Sequence, residues 1–386
     1  MRLLLPFALA LLAAPAAARA EPLPYPDGFL AAFGARDLVI AAAIVRPRAD
    51  ACEAQRPADD RCINLYLGAA LVDLSLAEQV GGRDGEAGRT VPRAHHYFGI
   101  HAADDPDSIG LVNQMLGRLR LVQWRHAEAE DAFRAAYAAY LRVRQPDVQA
   151  IASALNNVAH AVAAQGREAD ATPLYREVLA TLRRQTPADA AGLLAALSSL
   201  GTSLDRTGRS AEAEPLFREA LALAVAEYGE GAAGTARHIA NLAVNLERLG
   251  RLGEAEALHR RALAIREEAG EADGLQRARL NLAANLYDQR RFGEAEALAI
   301  APLAAASGRE RDDPVRIEAA QQLGMIWSWL PARRPGARTL LREAVAGTMI
   351  QAAERPGFDP VAQARLAAAR PAMRRSVAVA WALAQR

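Results

Sequence analysis

Three stretches of this chain, 42 residues apart, restate one another. Gly250-Arg251-Leu252-Gly253-Glu254-Ala255-Glu256-Ala257-Leu258 repeats Gly208-Arg209-Ser210-Ala211-Glu212-Ala213-Glu214-Pro215-Leu216. That stretch in turn repeats Gly166-Arg167-Glu168-Ala169-Asp170-Ala171-Thr172-Pro173-Leu174. A fixed period in this range is the signature of a solenoid, in which each repeat buries its apolar face only against its neighbours. The period therefore constrains architecture first and makes a binding scaffold the leading function.

From Asp107 to about residue 352 the pattern predicts six repeats, each a pair of helices. The pairs are 108–123 with 125–143, 148–165 with 168–184, 189–207 with 210–228, 231–249 with 252–269, 273–289 with 292–307, and 313–330 with 336–352. Gly166, Gly208 and Gly250 end first helices as left-handed caps. Small residues recur seven places before the turn (Gly117, Ala159, Gly201, Ala243, Ala283, Gly324) and five places after it (Ala129, Ala171, Ala213, Ala255, Ala295). Helix axes approach closely only where side chains are small. Large residues such as Leu200, Leu204, Leu216, Phe217 and Leu221 fill the space between. Residues 353–386 read as a terminal capping helix, interrupted at Pro371, because the last repeat needs a polar outer face.

The N-terminus reads as an export signal: Met1-Arg2, an apolar alanine-rich run over residues 3–17, and the small-x-small site Ala18-Arg19-Ala20. The run is shorter than the roughly 18 residues of a spanning helix. The expected product begins near Glu21, is periplasmic or secreted, and inserts no later segment in a membrane. Losing Arg2 and Arg19 takes the formal charge from +1 to −1. A near-neutral chain offers no electrostatic reason to expect nucleic acid as a partner. Every basic residue is arginine, which excludes Schiff-base chemistry and a phosphate-loop lysine. Residues 21–107 form a separate N-terminal region. Its apolar spacing predicts helices over Phe29–Val45 and Ile63–Val80, joined through Cys52 and Cys62. In an exported protein, two cysteines this close read as a disulfide; two free thiols or a zinc site are the alternatives. Residues 81–107, rich in Gly, Pro, Asp and Arg, read as a long loop.

The pattern Asn241-Leu242-Ala243, Leu246, Gly250-Arg251, Glu254-Ala255-Glu256 and Arg261-Ala262-Leu263 resembles the tetratricopeptide repeat, in the longer 42-residue form of kinesin light chains. The resemblance covers about 245 of the 386 residues. It implies an all-α, right-handed superhelical solenoid of antiparallel helix pairs, whose first helices line a concave groove that holds a peptide or another protein. The sequence departs from the pattern at four places. Trp124 and Arg290 stand where the turn glycine belongs, and Arg279 occupies a usually apolar position. Pro302 lies inside a second helix, where it predicts a kink or early end. Pro331 and Pro335 fall at the sixth turn, with one extra residue.

In this register the first helices expose Asn156, Asn157 and His160; Ser198, Ser199 and Thr202; Arg237, Asn241, Glu247 and Arg248; Arg277, Asn281, Tyr287 and Asp288; and Gln321 with Gln322. Asparagine amides donate to and accept from a peptide backbone whatever its sequence, so Asn156, Asn157, Asn241 and Asn281 are candidate peptide contacts. The alternative is that they cap or bridge helices inside the stack. Arg237 and Arg277 sit at matching positions and could hold a carboxylate between two guanidinium forks. His95, His96 and His101, with Asp104 and Asp105, are a weak metal candidate. Trp327 and Trp329 should point to opposite sides of a helix, one into the core and the other out as a surface anchor. The Glu-Ala-Glu runs are helix-start carboxylates favoured by the helix dipole. No phosphate loop, Gly-x-Ser-x-Gly or His-Glu-x-x-His is present, and no cofactor, metal or catalytic residue is expected. The reading is a scaffold for protein–protein or protein–peptide interaction, open to self-association through its free end. Alternatives are a cell-wall or carbohydrate binder, disfavoured by an aromatic content of 5%, and a metal-dependent enzyme using the histidine-rich loop.

Overall fold

The computed structural model describes residues 26–27, 29–34, 38–55, 62–80, 86–101, 104–185, 189–270, 272–311, 313–353 and 360–384. The expected export signal, residues 1–20, and the expected start at Glu21 lie outside them. Among the described residues the regular secondary structure is α-helix, with 3-10 geometry at Cys62 and at Pro331–Arg333, and no helix is long and apolar enough to cross a membrane. The chain divides into two compact units, Met1–Gly192 and Leu193–Arg386.

The first unit opens with α1 (Phe29–Gly34), α2 (Leu38–Gln55), α3 (Ile63–Val80) and α4 (Ala87–His101), followed by α5 (Pro106–Val122) and α6 (His126–Tyr140). The helix expected over Phe29–Val45 is two, and the second runs on through Pro47 to Gln55. Cys52, near the end of α2, is disulfide-bonded to Cys62, just before α3, with Cα atoms 6.1 Å apart. The long loop expected over 81–107 is corrected: its centre is α4. Ala87, Thr90, Val91 and Ala94 are all buried, at the i, i+3, i+4, i+7 spacing of one helix face. The signal was in the sequence, masked by the Gly, Pro and Arg around it. Phe29, Phe33, Tyr66, Leu74, Val91 and Met115 share one core, so the first helix of the expected first repeat packs into the N-terminal region. At its edge the Asp73 carboxylate accepts hydrogen bonds from Arg46 Nε (2.7 Å) and Thr90 Oγ1 (2.9 Å). Burial pushes its carboxyl above the ordinary value against those two partners.

The helix pairs follow the expected register. The unit continues with α7 (Val148–Ala164) and α8 (Glu168–Arg183). Then come α9 (Ala190–Arg206), α10 (Ser210–Tyr228), α11 (Ala233–Arg248), α12 (Leu252–Ala269), α13 (Ala272–Asp288), α14 (Phe292–Ala305), α15 (Pro314–Trp327) and α16 (Arg334–Ala353). Ala159, Ala243, Ala283, Ala129, Ala171, Ala213, Ala255 and Ala295 are fully buried. Closer contact takes glycine: a Cβ on Gly117 would come within 2.5 Å of the Phe133 ring, and one on Gly201 within 2.7 Å of Phe217. Leu242, Leu246 and Ile239 fill beside the small positions, each contributing about 2 kcal/mol by burial.

The turns obey geometry before composition. Gly166, Gly208 and Gly250 have φ of 79°, 76° and 76°, and Trp124 and Arg290 take the same turn at 65° and 63°. A left-handed conformation costs a side-chain-bearing residue about 1–2 kcal/mol. It is tolerated here because the backbone N–H of the next residue reaches back into the helix: Arg125 to the Arg120 carbonyl and Arg291 to the Leu286 carbonyl, at 2.8 and 2.9 Å.

The other departures are absorbed locally. Arg279 pairs with Glu267 at 3.4 Å. The helix carrying Pro302 ends at Ala305, two residues short of expectation. The break expected at Pro371 is corrected: α17 (Pro360–Ala384) runs through it. Ala369, Ala372 and Val379 are buried, whereas Pro371 and Ala367 are exposed. The carbonyl that proline leaves without a donor, four residues back, therefore belongs to an exposed residue.

Candidate functional site

In the second unit the first helices α11 and α13 bring Arg237, Asn241, Arg277 and Asn281 to one small cavity of about 140 Å³, floored by Ala236, Ala240 and Val244. Spacing explains the meeting. Arg237 and Asn241 are one helical turn apart, and Arg277 and Asn281 repeat them on the neighbouring helix. Arg237 is exposed, and its Nη2 lies 3.4 Å from His238 Nε2. Arg277 stands 3.6 Å from Glu318. Asn241 and Asn281 are half-buried and hydrogen-bond to none of the described residues. A volume of 140 Å³ is below the usual ligand pocket of about 300–1,000 Å³. It suits a carboxylate or a side-chain tip lying against the helices. His238 is buried; burial, then Arg237, holds its imidazole down at about 4. It is neutral at pH 7, so the positive charge at this cavity belongs to the arginines.

The same positions are used differently in the first unit. Asn157 donates to Gln114 Oε1 at 2.6 Å, bridging α7 to α5. The Oδ1 of Asn156 is buried without a partner. In the second unit the bridging task moves one turn along. Asn245 donates to Asp205 (2.8 Å) and to the Ser210 carbonyl (2.9 Å), and Asn285 to the Leu252 carbonyl (3.2 Å). Ser198 Oγ lies 3.5 Å from His238 Nδ1, Glu247 3.1 Å from His259, and Arg248 3.9 Å from Asp205.

Sequence reasoning missed the role of the Gly-Arg…Glu-Ala-Glu motif. The arginine after each turn pairs with the first acid of its own helix: Arg251 with Glu254 at 2.6 Å, Arg291 with Glu294 at 2.7 Å. Where the preceding repeat carries a second acid, it also reaches back to that acid; Arg209, facing Thr172 at that position, pairs among the described residues only with Glu212. Arg167 meets Glu130 at 2.9 Å, Arg251 meets Glu214 at 2.8 Å, and Arg291 meets Glu256 at 2.7 Å. The fixed spacing of arginine and acid at each turn was the available signal. Each exposed pair contributes little alone; their role is to set the register between repeats. Hydrogen bonding from Gln289, then, against burial, from Arg260 and Arg291, lowers Glu256 to about 2. A carboxyl so held is ionised throughout the neutral range and is unfit as a general acid.

A larger cavity of about 430 Å³ lies farther along the same unit, between α13, α15, α16 and α17. Tyr287, Asp288, Gln321 and Gln322, all expected on exposed first-helix faces, line it. Gln322 spends its amide on the Leu280 carbonyl at 2.7 Å. Trp327 ends α15, half-buried, with its indole N–H on Glu296 at 2.8 Å. Trp329 falls beyond the helix and is 45% exposed, yet it is engaged. It stacks on Phe292 at 5.3 Å, lies under Arg375 at 4.0 Å, and donates to the Tyr287 hydroxyl at 3.0 Å. That ring is not free to stack on a sugar. His95 and His96 lie on α4, not on a loop, and His95 Nε2 is 3.3 Å from Asn113 Oδ1. No group of three or more metal-ligating side chains occurs among the described residues.

Residues 151–185 and 192–268 match family models for the tetratricopeptide repeat. No curated protein matches the sequence. Similar solved structures include the apo form of RapI, 13% identical over 90% of this chain and 96% of that one, with a TM-score of 0.56. A Rap protein complexed with competence and sporulation factor is 14% identical over 93% of this chain and 97% of that one, at 0.54. BtubC (BKLC) from P. vanneervenii is 23% identical over 63% of this chain and 94% of that one, at 0.49. At these identities the likeness concerns the fold.

Proposed function

Because the chain carries tetratricopeptide repeats, we propose that it is an exported scaffold that holds a peptide or protein partner against the first helices of its second unit. The observation that carries the reading is the cavity shared by Arg237, Asn241, Arg277 and Asn281. Three guanidinium groups, those of Arg237, Arg266 and Arg277, stand beside two amides that the fold itself does not use. The arginines supply charge-assisted hydrogen bonds to a carboxylate of the partner. The amides supply one donor and one acceptor each to a peptide backbone. The Rap structure holds a factor bound to a related fold, which supports peptide capture by this architecture. Export to the periplasm or beyond rests on the basic start, the apolar run and the Ala18-Arg19-Ala20 site.

The test is a pull-down from an envelope extract, using the chain from Glu21 onward beside a variant with Arg237, Asn241, Arg277 and Asn281 changed to alanine. A partner retained by the first and lost by the second is expected. A partner held equally by both would remove the site from this face. Mass spectrometry of the native protein should find its N-terminus at Glu21.

A further inference from the structure

Two residues at the arginine cavity break the packing rule that the other repeats keep. Twelve places before the turn, four other repeats carry Val112, Ala154, Ala196 and Ala278, all buried; here α11 carries His238, buried as deeply. Sixteen places after the turn the others bury Tyr140, Leu182, Ala224 and Ala306. There α12 carries Arg266, whose guanidinium packs on Gly274 where a Cβ would overlap Nη1. A buried polar group costs stability unless it is hydrogen-bonded, and departures of this kind in an otherwise consistent sequence mark functional sites. His238 has two partners. Its Nε2 faces Arg237 Nη2 at 3.4 Å, and its Nδ1 faces Ser198 Oγ on α9 at 3.5 Å. A guanidinium only donates, so Nε2 is the acceptor and the ring proton sits on Nδ1, toward Ser198. Burial, then Arg237, keeps the ring neutral at pH 7.

We propose that His238 is the positioning residue for Arg237, its imidazole aiming the guanidinium into the cavity to meet a carboxylate of the partner. The inference rests on the groove reading above and adds the residue that sets the geometry of its charge. A neutral acceptor suits this task better than an acid. An acid beside Arg237 would cancel its charge and compete with the partner's carboxylate. An imidazole holds the guanidinium and leaves the charge in place. Among the described residues no acid pairs with Arg237. Arg277 shows the other arrangement: Ala278 stands next to it, and Glu318, 3.6 Å away, is its partner. Arg237 is therefore the arginine presented unneutralised and already oriented. Less side-chain freedom is lost when the partner binds to a group held in this way, so Arg237 dominates the selection of the carboxylate.

The test is a double-mutant cycle on a peptide selected from random dodecapeptides displayed on phage against the full chain. The selected peptide is expected to carry aspartate or glutamate at a recurring position, and a second form carries the matching amide there. The readout is the ratio of the two affinities, measured with fluorescein-labelled peptides. A change that merely loosens the fold weakens both forms and leaves their ratio unaltered. The wild type should prefer the acid form about tenfold. His238→Ala, which restores the residue of three other repeats, should bring the ratio to that of Arg237→Ala and add nothing in the Arg237→Ala background. His238→Gln, whose Oε1 takes the place of Nε2 as acceptor, should recover most of the preference. The inference is overturned by a ratio unchanged in His238→Ala, by a further fall when His238→Ala is added to Arg237→Ala, or by a glutamine variant no better than alanine. In each of these cases a ratio that still drops in Arg237→Ala leaves the groove reading standing. If neither Arg237→Ala nor the quadruple alanine variant of Arg237, Asn241, Arg277 and Asn281 changes the ratio, or if no acidic peptide is enriched, both readings fail.

Discussion

Helices α1–α5 bury large side chains, Phe29, Phe33, Tyr66 and Met115 among them, in a single core. A disulfide staples that region, and a buried acid is shared between two helices. Helices α11–α14 instead bury Ala243, Ala255, Ala283 and Ala295 at fixed intervals, with leucines between and an arginine–glutamate pair at each turn. The first region solves its packing once. The second applies one solution repeatedly and so keeps a row of first-helix positions free of structural duty. In the first unit the Asn157 amide is consumed by Gln114. In the second, Asn241 and Asn281 are left unused because Asn245 and Asn285 do the bridging. A site can form where a repeat delegates its internal bonds to a neighbouring position.

The disulfide gives the largest expected effect. Cys52→Ser with Cys62→Ala should cost about 3 kcal/mol by loss of the cross-link, read by urea unfolding. Hydrogen exchange should place the loss in residues 29–122. A loss spread evenly over the repeats of the second unit would break the contrast.

A second expectation concerns the turns. Arg290→Gly should stabilise by about 1 kcal/mol, since glycine takes positive φ freely, whereas Gly250→Ala should destabilise by about as much. Urea midpoints at constant slope report both. No gain at Arg290 would show that its side chain repays the strain through contacts, and would make that turn unlike its glycine counterparts.

The smallest effect near neutral pH comes from His238. Its folded value of about 4 lies below its ordinary 6.5. Between those values the unfolded chain binds the proton and the folded one does not. Stability is therefore full above 6.5 and declines as pH falls toward 4. His238→Asn should remove that slope above pH 4.5, before Glu256 begins to lose its own contribution on the way down to about 2. An unchanged slope would show that burial at this position is looser than in the rest of the repeat.

Periodicity was enough to place the helix pairs from residue 108 to 353 to within about three residues at most ends, and to name the seam of small residues. Both follow from local constraints that every repeat must satisfy. It was not enough for α4. Ala87, Thr90, Val91 and Ala94 form a helical stripe, but Pro92 and the surrounding glycines carry the opposite local signal, and burial against Asp73 and its neighbours decides the outcome. Trp124, Arg290 and Pro371 make the same point: local preference argued against the turn or the helix, and packing overrode it.

The candidate site divides in the same way. The sequence by itself determined that Arg237 and Arg277, and Asn241 and Asn281, occupy equivalent positions, because a fixed period sets equivalent angles around each helix. Only the tertiary structure decided which amides are free. A hydrogen bond such as Asn157 to Gln114 or Asn245 to Asp205 joins residues 43 or 40 apart. Whether it forms depends on distances that no single repeat contains.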